Sequence, residues 1–230
     1  MRGDANQGAP RAASEARSEP QASGGPRAGE RSREGPIRAF FAVELGPAAR
    51  CAAEAALRAL RERAGGDGVR WIRPEGLHVT LRFLGGVDPA RVAPLAVRAR
   101  SELAPLRPFR VRLGPAELFP TPRRPRVVAL GVEPEAPLAA LAAALERAVV
   151  ALGFAPEERP FRAHLTLGRV RDRRFPDVAG LVVPAEEIAV AEAVLFRSEL
   201  APSGARYTAL ERVALGPDAA ATDHPMEARS

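Results

Sequence analysis

Two tetrads in this chain, His78-Val79-Thr80-Leu81 and His164-Leu165-Thr166-Leu167, repeat the order His-x-Thr-Leu. Histidine occurs only at 78, 164 and 224, and threonine only at 80, 121, 166, 208 and 222, so the repeat is improbable by chance. Along an extended strand, residues i and i+2 face the same way, about 6–7 Å apart. His78 therefore projects with Thr80 and His164 with Thr166, while Val79, Leu81, Leu165 and Leu167 turn into a core. An isolated histidine on a half-buried strand is usually a hydrogen-bonded structural group; two copies in corresponding places point to a shared site. Two imidazoles near neutrality can act at one pH as base and acid. Phosphodiester cleavage needs that division, because the attacking water loses a proton while the departing ribose oxygen gains one on the opposite side. The threonine hydroxyls can donate hydrogen bonds to non-bridging phosphate oxygens as charge builds in the transition state.

The elements that must carry these residues form two half-repeats. IRAFFAVEL (37–45) reads as a strand, ended by Gly46-Pro47, followed by an Ala- and Leu-rich helix over 48–66. VRWI (69–72) and LHVTLRFLGG (77–86) read as strands, and 88–103 as a helix opened by Asp88 and Pro89. FRVRLGPAELF (109–119) looks like a bent strand pair. RVVALGVEP (126–134), a helix over 137–153 and the strand FRAHLTLGRV (161–170) repeat the first pattern. Residues 186–200 and 205–215 read as two closing strands joined by the turn APSG. Alternating strands and helices are compatible with a doubly wound parallel sheet. The internal twofold similarity predicts instead an α+β fold of two pseudo-symmetric lobes around a central cleft, one tetrad from each.

Residues 1–36 and 216–230 are poor in large apolar side chains and read as disordered tails, which places His224 outside the folded body of 37–215. A chain of 230 residues, 46% hydrophobic, affords a sizeable core. No apolar run approaches the roughly 18 residues of a membrane helix, and the N-terminus lacks a secretory pattern. Cys51 is the only cysteine, so no internal disulfide forms. The expected setting is a cytoplasmic monomer with no membrane partner. The formal charge is +6, carried by Arg without any Lys. Residues 1–36 contribute six Arg against five acids, +1, and 217–230 one Arg against three, −2, leaving +7 in the middle. A basic body favours phosphates or RNA, although an Arg-, Ala-, Gly- and Pro-rich composition explains the charge equally well.

The motifs resemble those of the two-histidine (2H) phosphoesterases, within them the RNA 2′,3′-cyclic phosphodiesterases, also called 2′-5′ RNA ligases. The similarity spans RAFFAVEL (38–45), LHVTLRFLGGV (77–87), AHLTLGRV (163–170) and LFRSELAPSGARYTAL (195–210). It implies two lobes, each an antiparallel sheet backed by helices, around a basic cleft. The implied reaction opens a 2′,3′-cyclic phosphate at an RNA end to a 2′-phosphomonoester, without cofactor or metal. The implied proton donor is His78 and the acceptor His164, with Thr80 and Thr166 on the phosphate; the nearly symmetric motifs do not themselves assign the proton roles.

Further substrate-binding candidates are Arg82 and Arg162, which share strand parity with the tetrads if the strands are regular. Arg169 has the wrong parity unless Gly168 introduces a bulge. Phe40 and Phe41 can stack a nucleobase, and Arg197, Ser198 and Tyr207 lie in the closing hairpin. Trp71 reads as packing, and the Arg-rich loop 121–126 as a steering surface for RNA. Two other functions use the same fold: a cyclic phosphodiesterase acting on small nucleotides, and a non-catalytic module that binds RNA ends. A metal-dependent hydrolase is disfavoured, because neither tetrad has a carboxylate or further histidine at ligand spacing.

Overall fold

The computed structural model describes residues 35–65, 68–172, 175–201 and 204–217. Most of the expected tails, His224 included, lie outside the described residues. Within them, each half begins with a strand, turns into a helix and returns through a tetrad.

In the first half, β1 (Ile37–Glu44) is buried at nearly every position and leads into α1 (Pro47–Ala64). Pro47, whose fixed φ suits the first helical turn, starts α1, and Gly65 in the left-handed conformation ends it. A short strand, β2 (Val69–Trp71), precedes β3 (His78–Val87), which carries the first tetrad. The Asp88 side chain accepts from the Ala90 N–H and caps a 3₁₀ turn, Pro89–Arg91, that passes into α2 (Val92–Leu103). The second half runs through β4 (Phe109–Phe119), β5 (Val127–Glu133), α3 (Glu135–Val150) and β6 (His164–Val170), which carries the second tetrad. The segment 109–119 is one strand with an irregularity between Leu113 and Ala116, so the expected pair is a single bent strand.

The segment 186–200 also differs from the expected single strand. It breaks at Ala191 into β7 (Glu187–Val190), paired with β4, and β8 (Glu192–Ala201), paired with β1. β9 (Gly204–Ala214) then closes on β8. Each piece belongs to a different half, and the local apolar pattern carries no mark of that change of partner.

All strand pairings are antiparallel, which removes the doubly wound parallel alternative. The sheet order is β7-β4-β5-β6-β3-β1-β8-β9, with β2 beside β6. Among the described residues two four-strand sets result, β3-β1-β8-β9 and β6-β5-β4-β7, joined between β3 and β6 by the pair Val79 with Leu165, while β2 reaches from the first half onto β6. The helices cross over: α1, which follows β1, packs against β2, β4 and β7, while α3, which follows β5, packs against β3 and α2. This exchange ties the halves together on the helix side, where the main core lies, including Phe41, Leu57, Leu81, Leu130, Leu145 and Leu167. The opposite face holds a smaller cluster of Phe40, Ala42, Val194 and Phe196, with Tyr207 packed on it.

Candidate active site

Both tetrads alternate as their residue types require. Val79, Leu81, Leu165 and Leu167 are buried in the main core, and His78, Thr80, His164 and Thr166 are half-buried on the other face. Val79 pairs antiparallel with Leu165, so His78 falls on the Thr166 side of the junction and Thr80 on the His164 side. The polar residues of both motifs therefore gather where the halves meet, each imidazole towards the other motif's hydroxyl.

The histidines are held alike. His78 Nδ1 lies 2.8 Å from the Gly76 carbonyl oxygen, and His164 Nδ1 lies 2.8 Å from that of Arg162. A carbonyl only accepts, so in each ring Nδ1 carries the hydrogen and donates it. Nε2 is thereby left as the working nitrogen in both, with an open lone pair when neutral and a donor when charged. The motif preserves this contact two residues upstream of each histidine, a feature the tetrad alone does not reveal.

Their surroundings differ. His78 lies over the apolar patch of the cleft face: its ring is 4.8 Å from Phe40, 6.3 Å from Phe196 and 5.0 Å from Tyr207, which meets it edge-on. Burial there lowers its pKa from 6.5 to about 4; the Gly76 hydrogen bond opposes this, and the charges of Arg169 and His164 add to it. Tyr207 is pushed up by burial, against the opposing charges of Arg169 and Arg70. A recess of about 100 Å³ beside His78 is lined in part by Glu44, Phe196 and Tyr207. His164 instead packs against one ring, Phe119 at 4.9 Å, itself capped by the Arg162 guanidinium 4.2 Å from its centroid.

Both tetrad strands bulge at the same point. Across β1, Ala42 faces Thr80 while Phe41 faces Arg82, leaving Leu81 as the extra residue. Across β5, Ala129 faces Thr166 while Val128 faces Gly168, leaving Leu167 as the extra residue. A bulge shifts the alternation by one residue beyond it, and this reassigns several candidates. Arg82 turns to the helix side and bonds Glu146 of α3 and the carbonyls of Phe83 and Ala155, so it does not face the cleft as regular parity predicts. Phe83 emerges on the cleft face in its place, 54% exposed and 5.8 Å from Phe40. At the equivalent position of β6, the bulge brings exposed Arg169 onto the cleft face, the condition on which its candidacy rested.

Phe41, paired with Arg82, is fully buried in the main core, and Phe40 is the aromatic of β1 that reaches the cleft side. Arg197 pairs with Ala39, a main-core residue, and so lies on the helix-side face, 3.0 Å from Glu199. Ser198 and Tyr207 face each other across β8 and β9 on the cleft side. Arg162 precedes β6; it sits at the rim beside Phe119, 3.4 Å from Glu117, with its carbonyl orienting His164. Three residues escaped the reading of motifs. Phe119 and Phe83 owe their places to pairing partners and a bulge, whereas Arg70 had a visible signal, a charged residue between apolar Val69 and Trp71 on a strand.

A family model described as the 2'-5' RNA ligase superfamily matches residues 49–200. A Methanothermobacter thermautotrophicus protein named RNA 2',3'-cyclic phosphodiesterase is 36% identical over 181 residues, covering 76% of this chain and 97% of its own. One of the same name from Thermus thermophilus is 35% identical, covering 78% and 90%. Among solved structures, a Thermus thermophilus protein superposes with a TM-score of 0.67 at 32% identity, covering 78% of this chain and 98% of its own. E. coli LigT complexed with 3'-AMP gives 0.62 at 30% identity, covering 78% and 98%.

Proposed function

Because the chain belongs to the 2'-5' RNA ligase superfamily, we propose that its paired histidines hydrolyse 2′,3′-cyclic phosphate ends of RNA to 2′-phosphomonoesters, without a metal. The observation that carries this reading is the gathering of both His-x-Thr pairs at the Val79–Leu165 junction, each histidine fixed through Nδ1 so that Nε2 is the reactive nitrogen. In the proposed step, a water oxygen attacks phosphorus and gives its proton to Nε2 of His164. The bond from phosphorus to O3′ breaks, and O3′ takes a proton from Nε2 of His78. Thr80 and Thr166 donate to the non-bridging oxygens, and Arg169 supplies positive charge at the cleft. Phe83, 54% exposed, offers an aromatic face to the terminal base, while buried Phe40 packs beneath it and His78.

Burial works against the donor role of His78 in the free protein, whose imidazole is neutral at pH 7. The negative charge of the bound phosphate must raise the proton affinity of Nε2, so that His78 takes up a proton from solvent as the substrate binds. Binding of a non-hydrolysable cyclic-phosphate analogue near pH 6 is accordingly accompanied by proton uptake, seen as a buffer-dependent calorimetric heat. A heat independent of buffer removes the donor assignment from His78 and leaves it as the acceptor.

The reaction itself is tested by product analysis with an oligoribonucleotide bearing a 2′,3′-cyclic phosphate, in excess chelator. A 2′-phosphate product from the wild-type chain, lost in both His78→Ala and His164→Ala, supports the proposal. A 3′-phosphate product, or activity abolished by the chelator, overturns it.

A further inference from the structure

Beyond the two tetrads, the cleft face carries an unbalanced pair of charges. Arg70 of β2 stands directly opposite Arg169 of β6 in an antiparallel pairing. Val69 and Trp71, on either side of Arg70, pack into the main core, so the Arg70 side chain points to the cleft face, where the bulge also directs Arg169. Both are exposed. Neither has a carboxylate partner among the described residues, whereas Arg82, Arg110, Arg112, Arg147 and Arg212 are all ion-paired. Like charges directly across a strand pair are unfavourable, and an anion between or beside them reverses the sign. Both arginines act electrostatically on Tyr207, which lies edge-on to His78, so the pair is within reach of the reacting centre.

We infer that Arg70 binds the phosphodiester preceding the reacting cyclic phosphate, which makes the substrate a polynucleotide end rather than a lone cyclic nucleotide. The inference rests on the proposed phosphodiesterase activity. Arg169 then serves the reacting group and Arg70 the next phosphate along the strand. Among the described residues no strand lies beside β3 in the place that β2 takes beside β6; there β3 pairs with β1 alone. The added strand therefore breaks the pseudo-symmetry on one side and gives the bound chain a direction.

The test compares kcat/KM of Arg70→Gln on a 2′,3′-cyclic mononucleotide and on a short oligonucleotide with the same cyclic end. The expected loss on the oligonucleotide is about tenfold and at least fivefold greater than on the mononucleotide. The salt dependence of binding to a 2′-phosphate-terminated oligonucleotide should also weaken by about 0.7 in log–log slope, the share of one phosphate contact on a single strand. Arg58→Gln on α1 removes the same charge from the helix side and should alter neither quantity; Arg70→Lys should restore most of the slope. A structural role for Arg70 predicts lower thermal stability in Arg70→Gln, whereas relief of the repulsion predicts unchanged or higher stability. Equal losses on the two substrates, or no loss on either, overturn the assignment. Failure of the wild-type chain to hydrolyse either substrate overturns the underlying activity, and the salt slope then reports on Arg70 independently.

Discussion

His78 should make this protein progressively less stable as the pH falls from 6.5 towards 4. Its imidazole titrates near 4 when folded and near 6.5 when unfolded. Between those values the unfolded chain holds a proton that the folded chain does not, so acid favours unfolding and stability rises with pH across the window. Above 6.5 the effect vanishes, and below 4 it is complete, worth about 3 kcal/mol at 1.36 kcal/mol per pH unit. The cause is the apolar floor of Phe40 and Phe196 with Tyr207 beside it, which strips water from the ring. His78→Asn retains a short N–H donor to the Gly76 carbonyl but cannot titrate. Urea unfolding of both proteins at pH 4.5, 5.5, 6.5 and 7.5 isolates the histidine, since carboxylate effects cancel in the difference. Relative to the Asn variant, the wild type should lose about 2–3 kcal/mol between pH 7.5 and 4.5. A difference that stays flat within error would show that the ring is solvated and that the cleft face is more open than the packing implies.

Loss of either histidine should reduce kcat by about 10²–10⁴-fold, the usual share of one acid–base partner, in steady-state assays on a cyclic-phosphate oligonucleotide. Comparable activity in His164→Ala would remove that ring from the reaction. Gly168→Ala should destabilise the fold by about 1–3 kcal/mol, because a Cβ there would stand 2.5 Å from Val69 Cγ1 and 2.9 Å from Trp71 Cε3. A denaturation midpoint equal to that of the wild type would mean that β2 is not packed as described. Arg82→Ala should cost about 1.5–3 kcal/mol by breaking the link to Glu146 and α3, while kcat/KM changes less than about threefold. A large activity loss at unchanged stability would return Arg82 to the cleft.

How much of this was legible in the residues follows from the range of the forces involved. Strand alternation is set by neighbours two residues apart, so the residue order alone dictates that each tetrad shows His and Thr on one face and two apolar residues on the other. It also dictates the duplicated strand–helix–strand order, through apolar periodicity and the Gly46-Pro47 and Gly65 punctuation. Long-range pairing settled the remaining candidates. The bulges at Leu81 and Leu167 exist only relative to β1 and β5, and they turn Arg82 away and bring Phe83 and Arg169 in. The break at Ala191 reflects a change of partner strand, which local residues do not encode. The unequal settings of two nearly identical motifs likewise arise from Phe196 and Tyr207, more than a hundred residues from His78 along the chain. Hydration of an ionisable ring depends on whatever packs over it, and that is a property of the assembled fold.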